Sequence, residues 1–458
     1  MTFDKKLLQS LSLMLLILFS INMLAEETHA DAGITVSSHG LVTAQAPAKQ
    51  VRILGDKSPV FAEDVISSGP NSYAVIEFND GTHIALRPNT VFSLEEYSHN
   101  KEKESAEIHL YKGGLRAITG EISKHNPEGL KVTTEKATVT AHGGEFDVRI
   151  CEQDCAREKP KHKKAVQPPL PVAARVAHLQ GELYATGKDF VKRRLQAGGA
   201  IFEGDVLETG AGGFTIIAFR DEGRVTMKEL SVFRVAEYRY APDKPAEGNA
   251  LLELVKGGLR AVTGIIGKQN KEAYHFTTYT ATIGIRGTGF DLLWLGACEA
   301  VSRCGLVVFV WDGAIYVKNE FGLWEMTAGQ VLLVRETDQP AEPETEPPTM
   351  DVPRPDEFKI DFNNLFGTET LDQISPGFYV ATYSGDVTLT QGGTSIDLGS
   401  GEAGYAATDG STLLRLEKVQ SFQVSDPYLI TVDTILNNLS MLLNDTVTLQ
   451  DQFQCYVQ

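Results

Sequence analysis

The sequence predicts an all-β protein assembled from repeated antiparallel modules, and three observations carry that expectation. The first is the string Lys-Gly-Gly-Leu-Arg-Ala-x-Thr-Gly, present at Lys112 to Gly120 and again at Lys256 to Gly264, 144 residues later. At the same spacing, Ala137, Thr138, Gly143, Phe146 and Asp147 fall on Ala281, Thr282, Gly287, Phe290 and Asp291. One module has been used twice. The second is alternation: the apolar run Tyr73 to Phe78 breaks at Asn79, Asp80 and Gly81 and resumes at Thr82 to Leu86, the pattern of a β-hairpin. The third is a smaller unit of strand, glycine, strand, polar turn, leucine or methionine, and glycine. It occurs over Val36 to Gly55, Val176 to Gly199 and Val307 to Gly329, and more weakly over Tyr379 to Gly401. Each unit has one apolar face that only neighbours can cover, so a sandwich or short solenoid of hairpins follows.

At the N-terminus, Lys5 and Lys6 precede a largely apolar run from Leu7 to Leu24, and an Ala-x-Ala site follows at Ala30, Asp31 and Ala32. Residues 1–32 read as an export signal, with the mature chain starting near Gly33. A competing reading retains the same run as a membrane anchor, since its length approaches the ~20 residues of a spanning helix.

The first module is assigned to residues 33–155. Within it, Ala106 to Tyr111 alternates as a strand, Gly113 and Gly114 permit the positive φ of a tight reversal, and Leu115 to Ile118 returns as the next strand. Arg116, and Arg260 in the second copy, would then face away from the leucine and be either solvated or internally paired. Residues 156–173 form a basic linker, with the run Arg157 to Lys164. Such runs are usually solvated; a contact with anionic lipid or polymer is the functional alternative. The second module, 174–335, repeats the hairpin at Phe214 to Phe219 and Val225 to Met227. Residues 336–375 read as an acidic, Pro-rich linker unable to form a core. The remainder, 376–458, reads as a small separate β region ending in one helix. Asp426 and Pro427 would open that helix, and Leu429, Ile430, Val432, Ile435, Leu436, Leu439 and Leu442 would form its apolar face.

The cysteines fit an exported chain. Cys151 and Cys155 follow the Phe-Asp of the first copy, and Cys298 and Cys304 follow that of the second. In an oxidising compartment such pairs read as local disulfides closing short loops. A shared zinc site is the alternative, but the spacings and the lack of nearby histidines do not suit it. Cys455 is left over.

A net charge of −18 argues against nucleic acid as a partner. The ten histidines are scattered, without the spacing of a metal site, and neither a Gly-x-Ser-x-Gly elbow nor a phosphate loop occurs. His142 reads as a loop histidine with satisfied hydrogen bonds. Gly284, Gly287 and Gly289 read as tight β-turns, since a phosphate cradle would need a following helix. The expectation is a non-enzyme with no cofactor, no metal and no catalytic residues.

Asp80-Gly81, the Lys-Gly-Gly-Leu-Arg string and Ala281-Thr282-Ile283-Gly284-Ile285-Arg286-Gly287-Thr288-Gly289-Phe290 together resemble the FecR domain family, over roughly residues 36–151 and 174–333. The second copy matches best. The first departs at the signature, where Ala141-His142-Gly143-Gly144-Glu145-Phe146 stands instead. The resemblance implies a periplasmic all-β module. Founding members of that family pass a siderophore-uptake signal across the inner membrane to a sigma factor; that role is not carried over, because a cytoplasmic helical segment for holding a sigma factor is not read in this sequence. Arg286 with Thr288 is the one ligand contact the signature suggests, the alternative being a buried arginine bonded to backbone carbonyls.

The expected function is that of an exported binding or interaction scaffold in the periplasm or cell envelope, with an envelope protein or polysaccharide as partner. A sensory or regulatory component of a membrane-associated complex is the alternative, favoured if the N-terminal run stays as an anchor.

Overall fold

The computed structural model describes residues 31–157 and 172–424, apart from 189, 191, 286, 288, 299–303 and 372. Most of the expected export signal, most of the basic linker, the C-terminal helix and Cys455 lie outside the described residues; Asp31 and Ala32, the last two residues assigned to the signal, belong to the strand Asp31–His39. Among the described residues the chain is all-β, and its α-helices are single turns at Glu121–His125, Ile265–Gln269, Phe362–Phe366 and Ser421–Val424.

The first hairpin forms where the alternation places it. Along Tyr73–Phe78 every second residue is buried, and the strand pairs with His83–Leu86 from Ala74↔Leu86 to Glu77↔His83. Gly81, at φ 79°, closes the turn. The second copy repeats this with Phe214–Phe219 and Arg224–Met227.

The repeated Lys-Gly-Gly string is a corner, not the expected reversal. Glu104–Lys112 and Gly114–Ile118 do not pair with each other. The former lies between Val91–His99 and Leu130–Thr133; the latter lies between His83–Leu86 and Ala137–Cys151. Leu110 and Leu115 enter the same core from two sides, so the chain wraps around apolar contents instead of doubling back in one sheet. Gly113 has φ 79°, and a Cβ there would stand 2.6 Å from the Thr90 Cα. Gly257 repeats both features, with Ser231 Cα at 2.7 Å. Only glycine fits such a position.

After the corner, the long strand Ala137–Cys151 spans both faces of the first module. Its first half pairs with Leu130–Thr133 and its second with Gly114–Ile118. It bends at Gly143 and Gly144, with φ 139° and 100°. In the second module the equivalent stretch is split into Thr282–Ile285 and Gly289–Trp294 around Gly287. Two nine-stranded sheets result there, enclosing one core that includes Phe233, Phe276, Phe290 and Val308.

The C-terminal β region expected to stand alone is instead the last part of the first module. Gly377–Gln391 pairs antiparallel along the whole long strand, from Ala137↔Gln391 to Cys151↔Gly377. In the second module the same place is taken by Leu306–Asp312 and Ala314–Lys318, paired with Gly289–Trp294 and Thr282–Ile285. The registers correspond: Asp147 faces Ala381 as Asp291 faces Phe309, and Gly385 and Gly313 both have φ 72°. Ala403–Ala407 then follows Gly377–Gln391 as Val331–Val334 follows Leu306–Asp312. Thus the first small hairpin unit belongs with the fourth, and the second with the third. The second module is nested inside the first. A long unpaired strand edge is a template for misassembly, and the C-terminal segment covers this one.

The acidic linker is also more ordered than its composition suggests. Glu342–Glu344 adds an edge strand to Val331–Leu333. Arg260 donates to the carbonyl of Val352 at 2.9 Å, and Arg354 lies 4.7 Å over the Trp311 ring. Phe362 and Phe366 sit under Arg224 and Arg220, at 5.4 and 5.2 Å. The segment is a strap held by arginine–aromatic contacts, which a reading that counted only apolar residues overlooked.

Candidate functional site

The charges of the repeated motifs turn inward and hold the modules together. Asp80 accepts from the Thr82 hydroxyl at 2.7 Å and from the backbone N–H of Ile122 at 3.3 Å. Its counterpart Asp221 accepts from Tyr238 OH at 3.0 Å and from Ile266 N–H at 3.1 Å. Each buried carboxylate ties a hairpin turn to a one-turn helix. Burial pushes the Asp221 carboxyl and the Tyr238 phenol up from their ordinary values. A second repeated pair is Arg52 with Asp64 and Arg193 with Asp205, each arginine also lying over a ring, Phe61 at 4.9 Å and Phe202 at 5.2 Å.

The arginines of the repeated string are internally paired. Arg116 donates to Glu145 at 2.6 Å and lies 3.9 Å over Tyr383. Arg260 bonds Asp291 at 3.0 and 3.2 Å, and Trp311 Nε1 donates to the same carboxylate at 3.0 Å. The matching Asp147 pairs with Arg87 at 2.7 Å. Both cysteine pairs form disulfides, Cys151–Cys155 and Cys298–Cys304. The first packs against Tyr379, Tyr405 and Phe422 of the C-terminal segment. Arg286 and Thr288, the two residues the signature offered as a ligand contact, lie outside the described residues. No group of three or more His, Cys, Asp or Glu side chains able to hold a metal occurs among the described residues.

His142, which replaces the signature arginine, has both ring nitrogens engaged. Nδ1 lies 2.8 Å from the carbonyl of Pro127 and so donates to it, while Nε2 lies 2.8 Å from Thr388 Oγ1. The Thr388 hydroxyl points to Asp397 at 2.5 Å. Burial, the dominant cause, raises the Asp397 carboxyl above its ordinary value of 3.8; Thr388, His142 and Arg175 oppose that rise and Asp386 adds to it. A raised folded-state pKa means that the folded chain holds the proton more tightly than the unfolded one. The associated stability is present below about pH 4 and is lost as pH rises through the folded value. Asp397→Asn keeps an acceptor for Thr388 but cannot ionise. Its stability relative to wild type should therefore increase from about pH 4 upward and then level off. Urea midpoints across that range check this, and a pH-independent difference would contradict it.

Asp397 borders a polar junction between the modules that no motif announced. Arg175, wholly buried in the second module, pairs with Glu402 of the first and donates to the carbonyl of Gly198 at 2.8 Å. Arg193 reaches from Asp205 across to Asp386 at 3.0 Å. Arg415 donates to the carbonyls of Asp397 at 3.0 Å and Leu365 at 3.2 Å. Burial and the neighbouring Arg175 pull the Arg415 guanidinium down to about 10. An open cleft of 350 Å³ lies along this junction, with Arg415, Asp361 and Asn364 in its wall.

A second opening lies at the end of the first module, where the two ends of the bent strand Ala137–Cys151 come together. Leu110, Ala137, Ile150 and Phe378 line a cavity of 180 Å³, with Gln391 at its side and Glu135 and Lys136 at the mouth. In the second module the positions of Glu135 and Ile150 are held by Tyr279 and Trp294, whose rings meet edge-on at 5.9 Å. Sequence reasoning missed this place, although the 144-residue offset already exposed both substitutions.

Residues 64–158 and 205–316 match the family described as FecR protein. Each match opens on one of the arginine-paired aspartates, Asp64 and Asp205. No curated protein matches the chain. Among solved structures, two crystal structures of a candidate anti-sigma factor from Parabacteroides distasonis ATCC 8503, at 1.65 and 2.50 Å resolution, are similar at 16% identity with TM-score 0.24. The likeness covers 31% of this chain and 60% of that one, less than two thirds of its length. The repeated string, the buried Phe-Asp pairs and the two matched stretches together identify residues 64–158 and 205–316 as two FecR regions carried by one chain.

Proposed function

We propose that this chain is an extracytoplasmic, non-enzymatic interaction scaffold whose second module contacts an envelope polysaccharide or protein through exposed aromatic side chains. One observation carries the reading. On the second module, Tyr279 is 73% exposed beside Trp294, and Phe321 is 59% exposed and stacked on Trp324 at 6.4 Å. Paired, rigid rings presented to solvent suit contact with the apolar faces of sugars or with a partner's side chains. The two disulfides support an oxidising compartment. No helix among the described residues is long and apolar enough to cross a membrane.

Affinity capture from envelope extracts tests the reading, with wild type compared with a Tyr279→Ala/Phe321→Ala variant. Wild type should retain a polysaccharide or an envelope protein, and the variant should lose most of it, since aromatic anchors dominate such contacts. Equal retention by both would remove the second module's aromatics from the account. The FecR match supports a second reading, a sensory or regulatory component of a membrane-associated complex. Recovery of an integral membrane protein instead of a glycan would favour it.

A further inference from the structure

We propose that the end cavity of the first module binds a small aromatic group bearing one hydrogen-bond donor, of the indole or phenol type. Three observations converge on that chemistry. The first is size and lining: at 180 Å³, walled by Leu110, Ala137, Ile150 and Phe378, the cavity suits one ring system. An apolar cavity of about 150 Å³ is enough to hold benzene.

The second is a buried polar atom without a counterpart. Gln391 is 4% exposed, and its Nε2 donates to the carbonyl of Ala407 at 2.8 Å. Its Oε1 has no partner among the described residues, and the side chain lines the cavity. A buried carbonyl oxygen left unpaired is costly, so the site favours an incoming N–H or O–H.

The third is the duplicate. The second module carries its own ring, Trp294, where the first has Ile150, and covers it with Tyr279 where the first has Glu135. The residue equivalent to Gln391 there is Asn319, and it is satisfied: its Nδ2 donates to the carbonyls of Glu336 and Gln339, and its Oδ1 accepts from the N–H groups of Phe321 and Gly322. One architecture thus occurs with a tyrosine–tryptophan pair at these two positions and no spare acceptor, and again without that pair and with a spare acceptor. The site lies in the other module from the exposed aromatics, so it stands independently of the scaffold reading.

The test uses the full chain, with indole and its donor-free analogue indene as probes in ligand-observed NMR titrations. Indole should bind saturably and about tenfold more tightly than indene, the factor one net hydrogen bond carries. Gln391→Leu should abolish that preference. Ile150→Trp together with Glu135→Tyr, copying the second module, should abolish binding while thermal melts show the chain still folded. Absence of saturable indole binding to wild type, equal affinity for indene, or unchanged binding in the Trp/Tyr variant would each overturn the proposal. N-acetyltryptophanamide separates the sources. Binding as tight as that of indole assigns the site to a partner's side chain, and weaker binding assigns it to a free small aromatic.

Discussion

A chain ended at Gly367 should lose the first module and keep the second. Residues 31–157 would be left without the partner of the strand Ala137–Cys151, and the core would lose Phe378, Val380, Val387, Leu389 and Leu398. Each such side chain contributes about 1.5–3 kcal/mol when buried, so their loss is comparable to the whole ~5–15 kcal/mol that typically stabilises a domain. Residues 172–344 retain both sheets and their core. Limited proteolysis should therefore digest the N-terminal part and leave a resistant fragment beginning near Val172. A protease-resistant 31–157 in the truncated chain would show that the C-terminal segment is an accessory and not a structural half.

The second large effect is expected at the junction. Arg175→Ala should cost about 3–5 kcal/mol, because it leaves Glu402 in a partly buried site without its main counter-charge. Glu402→Met should also destabilise, since Arg175, Arg220 and Arg415 would then face one another with less negative charge between them. The double variant Arg175→Met/Glu402→Met should recover much of the loss, as apolar groups of similar volume often replace a buried ion pair without penalty. Chemical denaturation of the three variants decides this. If Arg175→Ala matches wild type, the bridge holds no stability and the modules are joined by packing alone, through contacts such as Gly399 against Ala200 and Phe202.

Both outcomes depend on a nesting that the sequence allowed but did not select. The repeat, the all-β class and the disulfide pairs were legible from spacing and alternation, because these follow from local periodicity and from residues close in sequence; alternation left Arg116 and Arg260 as either solvated or paired, and only partners about 30 residues away decided for pairing. The corner at Gly113 was misread because two glycines between strands permit either a hairpin or a crossing; the position of the core decides which. The strap over the second module was misread because its few aromatics are stabilised by arginines far away in the chain. Gln391 gave no signal of its own, since a glutamine becomes conspicuous only once its oxygen is buried without a donor.

By itself, the sequence determined that four small hairpin units and two larger ones build this chain, since each must bury its own alternating face. Only the tertiary structure decided that the first unit joins the fourth and the second joins the third. The four look alike locally, and the choice is made by the edge of one fifteen-residue strand, whose hydrogen bonds and apolar face are satisfied by a segment more than two hundred residues away.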